Sequence, residues 1–137
     1  MKKLIPVFSV LALTACGGIS EITPDMQAAT EKKLPAIDSK GGQLCIFRVS
    51  NAIGMAVICD MYANDEFIGR LSNRSYFCVN LSPDEYTITG KCFGGSRVGA
   101  EVNIRQGQRK YMELSGGPVL QSQTREVGLS GIHGVMN

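Results

Sequence analysis

Tyr76-Phe77-Cys78-Val79-Asn80-Leu81-Ser82-Pro83-Asp84-Glu85-Tyr86-Thr87-Ile88-Thr89-Gly90-Lys91-Cys92 is the stretch that decides the fold. Phe77, Val79 and Leu81 recur at every second position, which on an extended chain sets them on one face. Ser82-Pro83-Asp84-Glu85 then reads as a turn, because proline fixes its own φ and Ser and Asp side chains bond nearby backbone. Tyr86 and Ile88 resume the alternation and point inward. The pattern predicts strands over 76–81 and 86–93, joined by that turn.

Similar runs lie on both sides. Residues 44–49 and 56–63 read as strands, Asn64-Asp65 as a turn pair able to take positive φ, and 66–71 as the returning strand. Residues 94–99 form a glycine-rich connection. Segments 100–105 and 109–115 read as a hairpin about Gln106-Gly107-Gln108. Segments 118–124 and 126–132 are weaker, the last a strand or a short helix. No long 3.6-residue period occurs in this region. About seven short strands with turns every 8–12 residues predict an all-β fold, a small antiparallel β-sandwich over 43–132. Residues 133–137 are expected to be a mobile tail.

The whole chain has 137 residues, 44% hydrophobic and 19% charged, which is one small domain with short extensions. Its formal charge of +2 includes Lys2 and Lys3, which belong to a segment expected to be removed; without them twelve basic residues face twelve acidic ones. That balance excludes a strong general attraction to nucleic acid or anionic lipid.

The removed segment is the amino terminus. Met1-Lys2-Lys3 is a basic start, and residues 4–12 are apolar apart from Pro6 and Ser9. This run is shorter than the roughly 20 residues that span a bilayer as a helix, and has the proportions of a signal peptide. Leu13-Thr14-Ala15-Cys16 follows and resembles the bacterial lipobox. The resemblance implies that residues 1–15 are a lipoprotein signal peptide, cleaved after Ala15, and that the Cys16 thiol carries diacylglycerol, palmitate being a typical acyl chain. A multiply acylated cysteine stays in a membrane, since each buried methylene contributes about 0.8 kcal/mol. Gly17 stands where an inner-membrane retention signal would place Asp, so the expected location is the periplasmic face of the outer membrane. From residue 16 to residue 42 the composition turns polar, and the segment reads as a flexible tether. One short helix is available in it, with Thr23 as cap, Pro24 in the first turn and good helix formers over 26–33.

Within the strand region, Cys45-Ile46-Phe47-Arg48, Asn64-Asp65-Glu66-Phe67-Ile68-Gly69-Arg70-Leu71, Tyr76-Phe77 and Leu81-Ser82-Pro83-Asp84-Glu85-Tyr86 resemble an uncharacterised bacterial lipoprotein domain family. Tyr111 matches an aromatic residue in a later strand of that family, and Asp84 stands where the family usually has Gly. The similarity covers about 43–130. It implies a sandwich like those of prealbumin and carboxypeptidase regulatory domains, and it brings no catalytic residues.

Besides Cys16 there are Cys45, Cys59, Cys78 and Cys92, spaced by 14, 19 and 14 residues. An even number in an oxidising compartment points to disulfides, and the lack of any C-x-x-C leaves no zinc or thioredoxin motif. Four cysteines allow three connectivities. If 76–81 and 86–93 form a regular hairpin, Cys78 lies opposite Thr89, which disfavours Cys78–Cys92 and with it Cys45–Cys59; the other two connectivities stay open.

Catalytic patterns are sparse, and the expectation is a non-catalytic module without metal or cofactor. His133 is the sole imidazole and lies among glycines near the terminus. Gly94-Gly95-Ser96-Arg97-Val98 approaches a nucleophile elbow but ends in Val where Gly is required. Asp65-Glu66 and Asp84-Glu85 are carboxylates at turn tips, and Asp60 lies within a strand. Arg48, Arg70 and Arg74 beside Tyr62, Phe67 and Tyr76 are a candidate binding face, mixing cations with aromatic rings. The sequence therefore leads to a membrane-anchored protein-interaction or structural module with an envelope protein as partner, and a glycan or small ligand on the aromatic-arginine face as the alternative.

Overall fold

A computed structural model describes residues 19–49, 57–95, 97–115 and 119–137. The signal peptide, Cys16, Gly17, Gly18, Ala56, Ser96 and Pro118 lie outside the described residues. In chain order the elements are α1 (Pro24–Lys33), β1 (Gly42–Arg48), β2 (Cys59–Ala63), β3 (Glu66–Leu71), β4 (Ser75–Leu81), β5 (Asp84–Cys92), β6 (Arg97–Ile104), β7 (Arg109–Ser115), β8 (Val119–Gln123) and α2 (Arg125–Met136). The strands make two four-stranded sheets, β4-β1-β7-β8 (sheet A) and β3-β2-β5-β6 (sheet B). The sandwich expected from the alternation is present.

Between the sheets, Leu44, Ile46, Met61, Leu71, Ile88, Ile104, Met112 and Leu114 form the main core. Strand β1 is buried along its whole length. Its alternate residues Cys45 and Phe47 point out of the sandwich and join Tyr111, Leu129 and Ile132 in a second core beneath α2. Helix α2 therefore covers the outer face of sheet A, and α1 packs beside α2. The molecule has three layers: helices, sheet A, sheet B.

Three expectations change. First, 100–105 and 109–115 are not a hairpin: β6 pairs with β5 in sheet B, whereas β7 pairs in parallel with β1 in sheet A. The intervening turn causes the switch. Gly107, at φ 74°, donates its amide to the Gly41 carbonyl (2.9 Å), and the Gln108 carbonyl accepts the Gln43 amide (2.9 Å). The turn thus docks on the start of β1 and feeds the chain into sheet A alongside it. Second, β4 and β5 sit in different sheets, so the turn at Ser82 and Pro83 is a crossover. Cys78 lies opposite Cys45, not Thr89, and Cys59 lies opposite Cys92. The bridges are Cys45–Cys78 (Cα–Cα 4.0 Å) and Cys59–Cys92 (3.9 Å), one stapling each sheet. Each joins residues 33 apart, and closing such a loop in the unfolded chain contributes roughly 3–4 kcal/mol.

Third, the short helix available after Thr23 forms and is packed in place, and segment 126–132, read as a strand or a short helix, belongs to a helix that runs on through residues 133–136. In the stretch read as a tether, the Thr23 hydroxyl accepts the Met26 amide (3.3 Å) and Pro24 opens α1. Tertiary contacts then fix the helix. Glu31 reaches both Arg109 (3.4 Å) and Arg125, and Leu34 is buried in the second core. The buried Gln43 side chain holds the following residues through the carbonyls of Pro35 (3.0 Å) and Ala36 (3.3 Å), and accepts from Arg109 Nε (2.5 Å). At the other end, Thr124 caps α2 through the Val127 amide (3.3 Å). The supposed mobile tail is the last turn of α2, where His133 Nδ1 lies 3.1 Å from the Thr30 hydroxyl.

The seat of α2 is made by glycines. A methyl group on Gly128 would lie 2.3 Å from the Tyr111 ring, and one on Gly131 2.2 Å from the Phe47 ring; at Gly134 it would meet open space. Gly128→Ala and Gly131→Ala are expected to lower stability by about 1–3 kcal/mol through overpacking. Gly134→Ala is expected to raise it by up to about 1 kcal/mol through helix propensity. Urea unfolding of the oxidised protein separates them, and equal effects at all three positions would contradict this seat.

Glu113 supplies a pH signature. It is 8% exposed, accepts from Gln123 Nε2 (2.9 Å), and burial pushes its carboxyl above the ordinary value. A raised acid pKa means the folded state holds the proton more tightly, so this stability is full below the unfolded pKa and is lost as pH rises through the folded one. Glu113→Gln should match the parent near about pH 4 and exceed it in stability near about pH 7, as read by thermal unfolding at both pH values.

Candidate binding face

Sheet B buries one face and exposes the other. Along β2, Cys59, Met61 and Ala63 point into the core, so Asp60 and Tyr62 point outward. The register of β3, β5 and β6 then sets the outward residues in rows across the strands. One row runs Arg70, Asp60, Lys91, Arg97. The next runs Phe67, Tyr62, Thr89, Gly99. Thr87 opposite Glu101 follows, then Glu85 opposite Asn103. An irregularity in the β2–β3 register between Met61 and Tyr62 brings Phe67 opposite Tyr62 while Gly69 stays opposite Met61.

The first row is cationic. Arg70 Nε donates to Asp60 Oδ1 at 2.7 Å, and its Nη2 donates to Oδ2 at 3.4 Å. That bond, joined by the charge of Arg70, holds the Asp60 carboxyl below its ordinary range; the same bond raises Arg70. With this carboxylate compensated, Lys91 and Arg97 give the row its net positive charge. Lys91 Nζ stands 4.9 Å from the Tyr62 ring centroid, a cation–π contact. The second row is aromatic at one end: Tyr62 and Phe67 meet edge-on, centroids 5.9 Å apart at 75°, and Phe67 is 60% exposed. At the other end Gly99 leaves bare backbone, where an added methyl would make only ordinary contacts at 3.8 and 4.0 Å. Beyond the cationic row, the Phe93 amide donates to the Ile58 carbonyl (2.8 Å), and both side chains are exposed, Phe93 by 84%.

At the far end of the sheet the charge reverses. Glu85 and Glu101, with Tyr86, Thr87, Val102 and Asn103, line an open groove of about 370 Å³. Burial, followed by the charges of Asp84 and Glu66, raises the Tyr86 phenol above its ordinary value. The face therefore has a basic and an acidic end with the aromatic row between them and nearer the basic one.

Of the six residues expected to share a binding face, Arg70, Tyr62 and Phe67 do so. The other three lie elsewhere. Arg48 is 3% exposed at the end of β1, donates from Nη1 to the Val57 carbonyl (2.6 Å), and its pKa is lowered by burial. Arg74 occupies the β3–β4 turn at φ 51°. Tyr76 lies on β4 of sheet A and packs against the second core. The sequence reading missed Lys91, Thr89, Arg97 and Gly99. Their signal was available in the alternation of β5, where Thr87, Thr89 and Lys91 interleave with buried Ile88, Gly90 and Cys92.

No family model matches the chain, and no curated protein matches it. Among solved structures, the chain is similar to a protein from Eubacterium rectale determined by NMR, with a TM-score of 0.40 and 13% identity over 65% of this chain and 93% of that one.

The Asp60–Arg70 pair yields a direct check. Arg70→Ala should move the Asp60 carboxyl titration upward toward the ordinary aspartate range, followed by carbon-detected NMR of the side-chain carboxyl. An unmoved midpoint would show that the pair does not form in solution.

Proposed function

We propose that the chain is a lipid-anchored protein of the bacterial outer membrane whose sandwich is a non-catalytic binding module, working through the outer face of sheet B. One observation carries the choice of face: among the described residues, the helices lie on the sheet A side of the body and none covers the aromatic–cationic face on the other. Ile19 packs into the second core on the helix side and lies three residues beyond Cys16. Three extended residues reach about 10 Å, so an acylated Cys16 holds the helix layer close to the bilayer. Sheet B then lies two layers further out, its face turned to the periplasmic space. The two disulfides agree with an oxidising compartment.

An envelope protein is the partner favoured by this location, because confinement at a membrane raises the effective concentration of a module for neighbours in the same layer. A glycan partner is the second reading. It is favoured by a particular observation: two aromatic rings, an outward threonine and a side-chain-free glycine share one row.

Labelled palmitate should enter the protein in cells and be lost in Cys16→Ser, which should be released in soluble form. In the anchored protein, a benzoylphenylalanine at position 126 on α2 should crosslink to lipid, whereas one at position 67 should crosslink to protein or polysaccharide. Failure to incorporate palmitate overturns the anchor, and lipid adducts at position 67 overturn the orientation.

A further inference from the structure

We infer that the row Phe67–Tyr62–Thr89–Gly99 and the cationic row beside it form a platform for an acidic polysaccharide, one whose sugars carry carboxylate groups. This deepens the second reading above, a glycan on the outer face of sheet B, and rests on the assignment of that face. The row crosses four strands, a path of roughly 15 Å that suits a short run of sugar rings. At the β3–β2 end the exposed Phe67 ring, held edge-on by Tyr62, offers an aromatic surface to the C–H face of a sugar. Toward β6 the platform flattens: Thr89 supplies a hydroxyl, and Gly99 supplies a floor with no side chain.

The charges select an acidic chain and orient it. Lys91 and Arg97 lie two residues along their strands from the platform row, about 7 Å away, and Arg70 lies three residues from Phe67 because of the irregularity in β3, all within reach of carboxylates projecting from the sugars. Asp60 is the acidic member of that row, and its carboxylate is engaged by Arg70. Lys91 is positioned against the Tyr62 ring, so cation and aromatic surface are presented together. Arg97 adds the planar fork that matches a carboxylate with two parallel bonds. On the opposite side of the platform, Glu101 and then Glu85 repel anionic substituents and direct them to the basic row. An acidic peptide would satisfy the cations but has no sugar face to lay on Phe67, and extended peptides join sheets at their edges rather than across a face.

The test uses the full mature chain in detergent and three probes in titration calorimetry: polygalacturonate, its neutral methyl ester, and poly-L-glutamate of matched charge. Polygalacturonate should bind, and the other two should bind at least roughly tenfold more weakly. Phe67→Ala and Arg97→Ala should each weaken polygalacturonate roughly tenfold. Gly99→Gln should abolish binding by filling the floor. Gly99 is outward and its added carbon meets only ordinary contacts, so this variant should unfold at the same temperature as the parent. The inference is overturned if polygalacturonate does not bind, if the methyl ester or polyglutamate binds equally well, or if folded Gly99→Gln binds unchanged. Polyglutamate binding that Gly99→Gln still blocks overturns the glycan class and leaves the face assignment standing. Loss of glycan binding with no change in the envelope crosslinks at position 67 separates the two in the other direction.

Discussion

Strand β1 is buried on both of its faces, and the architecture depends on how that burial is achieved. A strand in an ordinary sandwich has one wet side. Here Leu44 and Ile46 fill the space between the sheets, while Cys45 and Phe47 on the reverse side require a second covering layer. Helix α2 supplies it, lying close enough to the rings of Phe47 and Tyr111 that only glycine fits at the points of contact. Helix α1 is drawn in by Glu31, which bridges Arg109 of β7 and Arg125 of α2. The asymmetry of the molecule follows. Among the described residues all helical cover lies on sheet A, and the outer face of sheet B carries charged and aromatic residues in register.

The same strand explains the mixed sheet. Parallel pairing of β1 with β7 needs the chain to leave sheet B after β6 and start sheet A beside Gly42, and the Gln106-Gly107-Gln108 turn bonded to Gly41 and Gln43 does this. A methyl on Gly42 would lie 2.4 Å from the Arg105 carbonyl oxygen, so the close approach at this corner depends on a residue without a side chain. Burial on this scale is modest for so short a chain, which gives the two bridges their weight in its stability.

Much of the fold was legible because period-two alternation is a local property. Phe77, Val79 and Leu81 marked β4, and Asn64-Asp65, both at positive φ, marked the β2–β3 turn. What was not legible depended on contacts remote in sequence. Nothing near Gly107 announces that its amide will meet Gly41, so a crossover read as a hairpin. The glycines of α2 argue against a helix in isolation and make sense only against Phe47 and Tyr111. The outer face of sheet B was half readable for the same reason. Arg48 alternates with the buried Leu44 and Ile46, which already places it inward. The partnership of Tyr62 with Thr89, and of Lys91 with Arg97, depends on strand order, which a single strand's pattern does not contain.

The two disulfides interleave along the chain, the Cys45–Cys78 span overlapping that of Cys59–Cys92. A single cut of the backbone anywhere from Cys45 to Cys92 therefore leaves the pieces covalently joined. In the shared interval from Cys59 to Cys78, which holds the tip at Asn64-Asp65, they remain joined twice. A protease that nicks one exposed loop of this region would leave a two-chain molecule that keeps all of its residues.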